Sequence, residues 1–481
     1  MFINLISNSI PEVILLCSAM SVLLLGAFFN NKNSTSLFGI SQITLLACAF
    51  LTSQGWMQEK IYSFNDMFVN DSLTIYLKLL SYFSLSIVYI YSRKFLVNKN
   101  LLNGEYFSLT LFSLLGVNLI ISSSNLLTLY MGLELLSLSL YTLVAYDKKN
   151  KDASEAAMKY FILGAVASGI LLYGFSIIYG LTGSLNIHEI SYALSNKELD
   201  PYVMSFALVF IVVAIAFKFG AAPFQIWVPD VYQGAQTPIT LFISSVPKFA
   251  SVAMLVRLLY QSMDVLVFDW QKLLLIMALL SMMIGNITAI AQINIKRLLA
   301  YSTISHVGFI MLGLSTGAVS GLAAALFYIA SYMLMTLAAF GLIIFLNSEK
   351  NSVDNIHDLA GLSYRHPWVA FLIMITFLSL AGIPPTIGFY AKFSVIQSAI
   401  QFGWIWPSVF AVMMALIGIF YYLRIIKIVY FDNPKNSTKL KLKNEYDFKL
   451  VLTFNVLGLI FVGIFPNILM SVSTLSAALI F

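Results

Sequence analysis

Charge and cysteine are what this sequence has least of. Of its 481 residues only 10% are Asp, Glu, Lys or Arg, while 60% are hydrophobic, and the mean hydropathy is +0.88. That balance excludes a string of water-soluble domains and points to a polytopic membrane protein. The two cysteines, Cys17 and Cys48, sit in separate apolar stretches. Neither belongs to a CxxC pair or to a Cys/His set with metal-ligand spacing, so no metal, haem or iron–sulfur site is expected in this chain. A net charge of +6 would suit nucleic acid, but the lysines and arginines fall in short loops between apolar segments, where they set topology instead. Nucleic acid is therefore discounted as a partner, and membrane lipid takes its place. The N-terminus has no basic region and no small-residue cleavage motif, so no cleaved signal or transit peptide is expected.

What is present is a succession of apolar segments, each near the ~20 residues that span a bilayer. Fourteen spans fit, near 11–29, 37–51, 73–91, 106–122, 126–145, 157–181, 203–232, 239–261, 273–290, 298–314, 318–346, 368–400, 405–430 and 450–480. Fifteen basic residues follow odd-numbered spans: Lys32, Arg93, Lys94, Lys99, Lys148, Lys149, Lys151, Lys296, Arg297, Lys350, Arg365, Lys435, Lys439, Lys441 and Lys443. Three follow even-numbered spans: Lys60, Lys197 and Lys272. The positive-inside rule puts the odd loops on the cytoplasmic or matrix face and both termini opposite.

Spans seven and twelve are too long and too rich in proline to be single helices. The first runs through Lys218, Gly220, Pro223 and Pro229; the second through Gly382, Pro384, Pro385 and Lys392. Five spans separate them from one another in register, so the second unit enters the membrane from the opposite face. Spans four to eight and nine to thirteen then form an inverted-topology repeat, in which broken helices frame the functional site. The expected fold is all-α, with residues 1–105 as a three-helix segment, 106–262 and 263–430 as the two repeats, and 431–481 as a basic loop and last helix.

An ionised side chain at the bilayer centre costs roughly 2.5–3.5 kcal/mol on insertion scales, so those that occur there mark pathways. Glu134 in span five, Lys218 before the first break, Lys248 after Pro247 in span eight and Lys392 after the second break form such a set. A static pair between Glu134 and one lysine would fix helix packing and nothing more, yet it would leave two lysines over. A buried lysine without a carboxylate can gain and lose a proton near neutral pH. Proton relay is therefore the expected role of all four.

Weaker candidates are Lys159, near the inner end of span six, which could snorkel to the interface, and His306, surrounded by Ser302, Thr303 and Ser305, which suit proton exchange. Lys78 has no evident partner in sequence. Asp230 is expected to be solvated or to fix a loop, and Arg424 and Lys427 to anchor span thirteen at the interface.

Five stretches together, 130–138, 155–165, 217–232, 299–308 and 380–389, carrying Met-Gly-Leu-Glu-Leu, Glu-Ala-Ala-Met-Lys-Tyr-Phe, Lys-Phe-Gly-Ala-Ala-Pro-Phe, Ala-Tyr-Ser-Thr-Ile-Ser-His and Leu-Ala-Gly-Ile-Pro-Pro, resemble the antiporter-like membrane subunits of respiratory complex I. Lys392, where one of the three such subunits has glutamate, and the lack of a lateral helix after span fourteen are similar to subunit N, called subunit 2 in mitochondria. The resemblance implies a proton-translocating subunit of NADH–quinone oxidoreductase. It implies Glu134 and Lys218 as a coupled pair, Lys248 as the central relay and Lys392 on the exit side. FMN, iron–sulfur clusters and quinone would be held by partner subunits, beside other antiporter-like and small membrane-arm subunits. A bacterial inner membrane is expected, a mitochondrial one being the alternative. Subunits of multi-subunit sodium/proton antiporters and of membrane-bound hydrogenases share this fold, but one deep carboxylate is thin coordination for sodium. A purely structural subunit is a third reading.

Overall fold

The structure is a computed structural model that describes residues 9–28, 34–56, 60–196, 199–347, 353–433 and 446–480. Lys32, Lys197, Lys350, Lys435, Lys439, Lys441 and Lys443 of the charge count lie outside the described residues.

The fold is all-α, with one two-stranded ribbon among the described residues, β1 (Ile61–Ser63) against β2 (Phe68–Asn70). Six helices lead in: α1 (Ile10–Phe28), α2 (Ser34–Ser53), α3 (Ser72–Asn98), α4 (Gly104–Ile121), α5 (Leu126–Val144) and α6 (Lys151–Thr182). After the short amphipathic α7 (Ile187–Asn196), the seventh crossing is split into α8 (Pro201–Phe219) and α9 (Trp227–Gly234). The eighth is α10 (Thr237–Leu255), which passes into a π-helical turn at Val256–Ser262. Then come α11 (Val267–Ile290), α12 (Ile295–Ser315) and α13 (Val319–Leu346). The twelfth crossing is split into α14 (Pro367–Ala381) and α15 (Ile387–Gln401), followed by α16 (Ile405–Phe431), α17 (Tyr446–Ile464) and α18 (Asn467–Ala478).

Thirteen of the described helices are long and apolar enough to cross a membrane. The crossing missing from that set is the twelfth: α14 and α15 have 15 residues each, or ~22 Å at 1.5 Å per residue, so neither spans alone. The last segment, expected as one span over 450–480, is instead two helices parted at Pro466, which lacks the N–H that would continue the ladder.

Polar contacts between loops sort onto two faces. On one, Lys99 donates to Gln236, Gln236 to Asp147, Lys296 to the Ala235 carbonyl, and Asn294 bridges Asn355; all of these follow or border odd-numbered crossings. On the other, Tyr62 meets His188, Phe68 bridges Ser123, Asn125 bridges Asn186, and Ser191 donates to Asp264. The most enclosed elements are α10, α12 and α13, which form the centre of the bundle and are buried along nearly their whole length. The ionisable side chains of interest hang on or against these central helices.

Two buried ion pairs brace the outer parts of the bundle. Lys78, for which the sequence offers no partner, lies on α3 with its Nζ 2.5 Å from Glu12 Oε1 on α1. Arg257, in the π-helical turn, forks onto both oxygens of Asp71 at 2.7 and 3.0 Å, and also donates to Thr74, Gln261 and the Ile121 carbonyl. This clamp joins the start of α3, the end of α4 and the end of the eighth crossing. Burial by itself would raise the Asp71 carboxyl, but the Arg257 charge and the hydrogen bonds from Arg257 and Thr74 outweigh it and hold the group at about 2.

Candidate functional site

Helix α8 ends because Gly220 takes a left-handed conformation, φ 71°, and Pro223 cannot continue the ladder. A helix that stops inside a membrane leaves carbonyls that water would otherwise satisfy. Here two of them find side-chain donors. The Phe217 carbonyl accepts from Trp227 Nε1 at 3.0 Å, and the Phe219 carbonyl from Lys248 Nζ at 2.5 Å. On the far side of the break, the Ala222 N–H donates to Ser281 Oγ at 2.8 Å. Lys248 is only 2% exposed.

The second break repeats the device with a lysine from its own continuation. Gly382 ends α14 at φ 81°, and Lys392 Nζ on α15 reaches back to the Leu380 and Ala381 carbonyls at 3.1 and 2.8 Å. In both cases an ammonium group sits at the C-terminal end of a half-helix, where the exposed carbonyls and the helix dipole favour positive charge.

Lys218 lies one turn before the first break and donates to Ser137 Oγ at 2.8 Å. Glu134 is one turn before Ser137 on the same helix, α5, and its Oε1 is buried without a hydrogen-bond partner. No ion pair joins Glu134 to a lysine among the described residues. The two lysines Lys218 and Lys248 face a common space of about 30 Å³, together with Ser137, Tyr160, Trp227 and Pro247. That is room for one or two water molecules.

His306 on α12 is buried between two tyrosines: its Nδ1 lies 2.7 Å from the Tyr328 hydroxyl and its Nε2 3.1 Å from the Tyr422 hydroxyl. Tyr422 continues to Ser302 at 2.5 Å. Thr303 is bonded by Tyr332 rather than by the imidazole. The Tyr328 ring stacks on Phe309, over which the Lys392 ammonium rests at 5.5 Å. The imidazole, Tyr328 and Lys392 are thus brought together.

Lys159 is not part of this interior line. It is half exposed and pairs with Glu155 at 2.9 Å and with Asp230 at 3.0 Å, while Asp230 also takes Arg297 at 2.8 Å. Asp230 therefore ties α6, α9 and α12 together at the odd-loop face. Arg424 donates to the Ile290 carbonyl at the same end of the bundle.

Sequence reasoning did not single out Ser137, Tyr328, Tyr422, Glu12, Asp71 or Arg257. Arg257 and Glu12 carried a signal, an ionisable residue inside or at the start of an apolar run. The hydroxyl groups carried none, because serine and tyrosine are ordinary in membrane helices.

Residues 123–418 match the family described as NADH:quinone oxidoreductase/Mrp antiporter, TM. The NADH-quinone oxidoreductase subunit N of Methylovorus glucosotrophus (strain SIP3-4) is 50% identical over 465 residues, covering 96% of each chain. The chain belongs to the NADH-quinone oxidoreductase subunit N family. Subunit N of Thioalkalivibrio sulfidiphilus (strain HL-EbGR7) is 48% identical over 97% of each chain. Among solved structures, a chain of respiratory complex I from Thermus thermophilus with bound Aureothin aligns with a TM-score of 0.81 and 28% identity, over 96% of this chain and 98% of that one. A chain of the Mrp complex from Dietzia sp. DQ12-45-1b, 19% identical with a TM-score of 0.84, shares the fold.

Proposed function

We propose that Glu134, Lys218, Lys248, His306 and Lys392 carry protons through this chain, a membrane-arm subunit of NADH-quinone oxidoreductase. The observation that carries the reading is the space of about 30 Å³ that Lys218 and Lys248 share. It has room for water to pass a proton between two lysines that, among the described residues, lack a carboxylate partner at bonding distance. Attraction from Glu134 holds a proton on Lys218 when the carboxylate is near and releases it when the carboxylate withdraws. From Lys248 the proton passes toward the imidazole, whose two ring nitrogens meet Tyr328 and Tyr422, and then to Lys392.

Oxidation of NADH and reduction of quinone take place in partner subunits, which hold the flavin, the iron–sulfur clusters and the quinone. The odd-loop face is cytoplasmic and both termini are periplasmic, in a bacterial inner membrane; the excess of lysine and arginine on that face supports the orientation.

The test is the Lys248→Met variant, purified as the assembled complex and reconstituted in vesicles. Protons moved per NADH oxidised should fall by about the share of one channel, and a ratio equal to wild type would refute the reading.

A further inference from the structure

Tyr232 lies on α9, the second half of the broken seventh crossing. It is fully buried, and its hydroxyl has no hydrogen-bond partner among the described residues. A tyrosine hydroxyl both donates and accepts, and when buried it is usually bonded. We propose that Tyr232 is a further proton-carrying residue, the step by which a proton leaves the space of Lys218 and Lys248 and reaches His306. The proposal rests on the reading of those three residues as carriers.

Its surroundings place it between the two groups it would join. The polar side chains that act on the Tyr232 hydroxyl are Tyr332 on α13, Thr303 on α12 and Tyr160 on α6. Tyr160 belongs to the lysine side: it lines the space shared by Lys218 and Lys248, and its ring stacks on Trp227 at 4.5 Å. Thr303 and Tyr332 belong to the histidine side. Tyr332 donates to Thr303 Oγ1 at 2.8 Å, and its ring packs on the imidazole with centroids 5.4 Å apart. The Tyr332 hydroxyl also lies within electrostatic reach of Tyr328 and Tyr422, the two partners of His306.

Thr303 is the natural next acceptor. Its hydroxyl spends its proton on the Leu299 carbonyl at 2.8 Å and accepts one bond, from Tyr332, so one of its two lone pairs is left over. It polarises the Tyr232 hydroxyl without reaching hydrogen-bond geometry, a link that a small turn of either side chain would close. In the transfer, the Tyr232 oxygen takes a proton from the lysine side as its own proton leaves toward Thr303, and the phenol ends neutral. The ring alone does not account for the hydroxyl. It packs edge-on against Phe340 at 6.1 Å, a contact that phenylalanine would make equally well.

The test is Tyr232→Phe in the assembled complex, which removes one oxygen and keeps the ring. Assembly, melting temperature and NADH oxidation by ferricyanide should match wild type. Protons per NADH in vesicles should fall by about the share of one channel, to the level of Lys248→Met, and 3-fluorotyrosine at position 232, which keeps the hydroxyl, should restore them. Wild-type pumping in Tyr232→Phe beside a loss in Lys248→Met would remove Tyr232 and leave the lysines on the path. Wild-type pumping in both would overturn the proposal together with the reading beneath it. A Tyr232→Phe complex that fails to assemble or melts lower, or a loss that 3-fluorotyrosine does not restore, would assign the hydroxyl to structure and overturn the proposal.

Discussion

Lys218 is bonded to Ser137 at 2.8 Å and not to Glu134, although the serine and the glutamate are one turn apart on α5. The ammonium therefore has a neutral partner at hand whenever the carboxylate is out of reach. Lys218→Met should leave an assembled complex that has lost much of its proton pumping and of its coupled quinone reductase rate. Ser137→Ala removes only the resting partner, a bond worth about 1.5–3 kcal/mol when the donor is charged, and should slow pumping without abolishing it. Both are read as protons per NADH in vesicles. Equal pumping in Lys218→Met and wild type would remove Lys218 from the path.

The two glycines at the breaks should resist substitution for different reasons. A Cβ on Gly220 would come 2.5 Å from Val228 Cγ2, and one on Gly382 would come 2.9 Å from Lys392 Cδ. Each also holds a left-handed conformation that costs other residues roughly 1–2 kcal/mol. Gly220→Ala meets a packed valine and should lower the yield of assembled complex. Gly382→Ala meets the flexible stem of the lysine, so assembly should survive while pumping falls as Lys392 is pushed off the α14 carbonyls. Native gel electrophoresis and vesicle pumping separate the two outcomes.

The Asp71–Arg257 clamp should hold across the physiological pH range. Its carboxyl lies at about 2 in the folded chain and near 3.9 when unfolded. The depressed value means the stabilisation is complete above the unfolded value and is lost as pH falls through about 2. Thermal melting of the solubilised complex should show no pH dependence from this pair between pH 5 and pH 8, where its stabilisation is present in full and constant. Asp71→Ala leaves a buried arginine unpaired and should cost about 3–5 kcal/mol. A wild-type melting temperature in that variant would show that the clamp is idle.

Glu12 and Lys78 offer a control for the relay reading, since they too are a buried acid and base but are already in contact. Glu12→Gln and Lys78→Met should each destabilise the subunit by about 3–5 kcal/mol through the charge left behind, and the double variant should recover much of that loss. Protons per NADH should stay at wild type in all three. A loss of pumping in the double variant with normal assembly would put this pair on the path.

The crossings were legible because their number follows from apolar length, and the breaks because Gly220, Pro223, Gly382 and the two following prolines have backbone requirements that any helix must obey. The four interior charges stood out for the same reason: their cost in hydrocarbon is a property of the residue alone. What each charge touches is not. Arg257 and Asp71 are 186 residues apart, and Lys78 finds Glu12 only because α1 and α3 are neighbours. Lys159 illustrates the limit from the other side, since a lysine near the inner end of α6 could snorkel or face inward, and its partners Asp230 and Glu155 at the surface could not be read from sequence. The cut at Pro466 was missed because a proline near a membrane interface can end a helix or merely tilt it, and the neighbouring residues decide which.

The lysines that close the two half-helices have one more property. An amine that has given up its proton still carries two N–H bonds, so Lys248 can keep its hold on the Phe219 carbonyl, and Lys392 on those of Leu380 and Ala381, in either charge state. Only the charge leaves; the knot in the backbone stays tied. Each broken helix can therefore be cycled through loading and discharge with its geometry unchanged, as a fixed terminal rather than a moving gate.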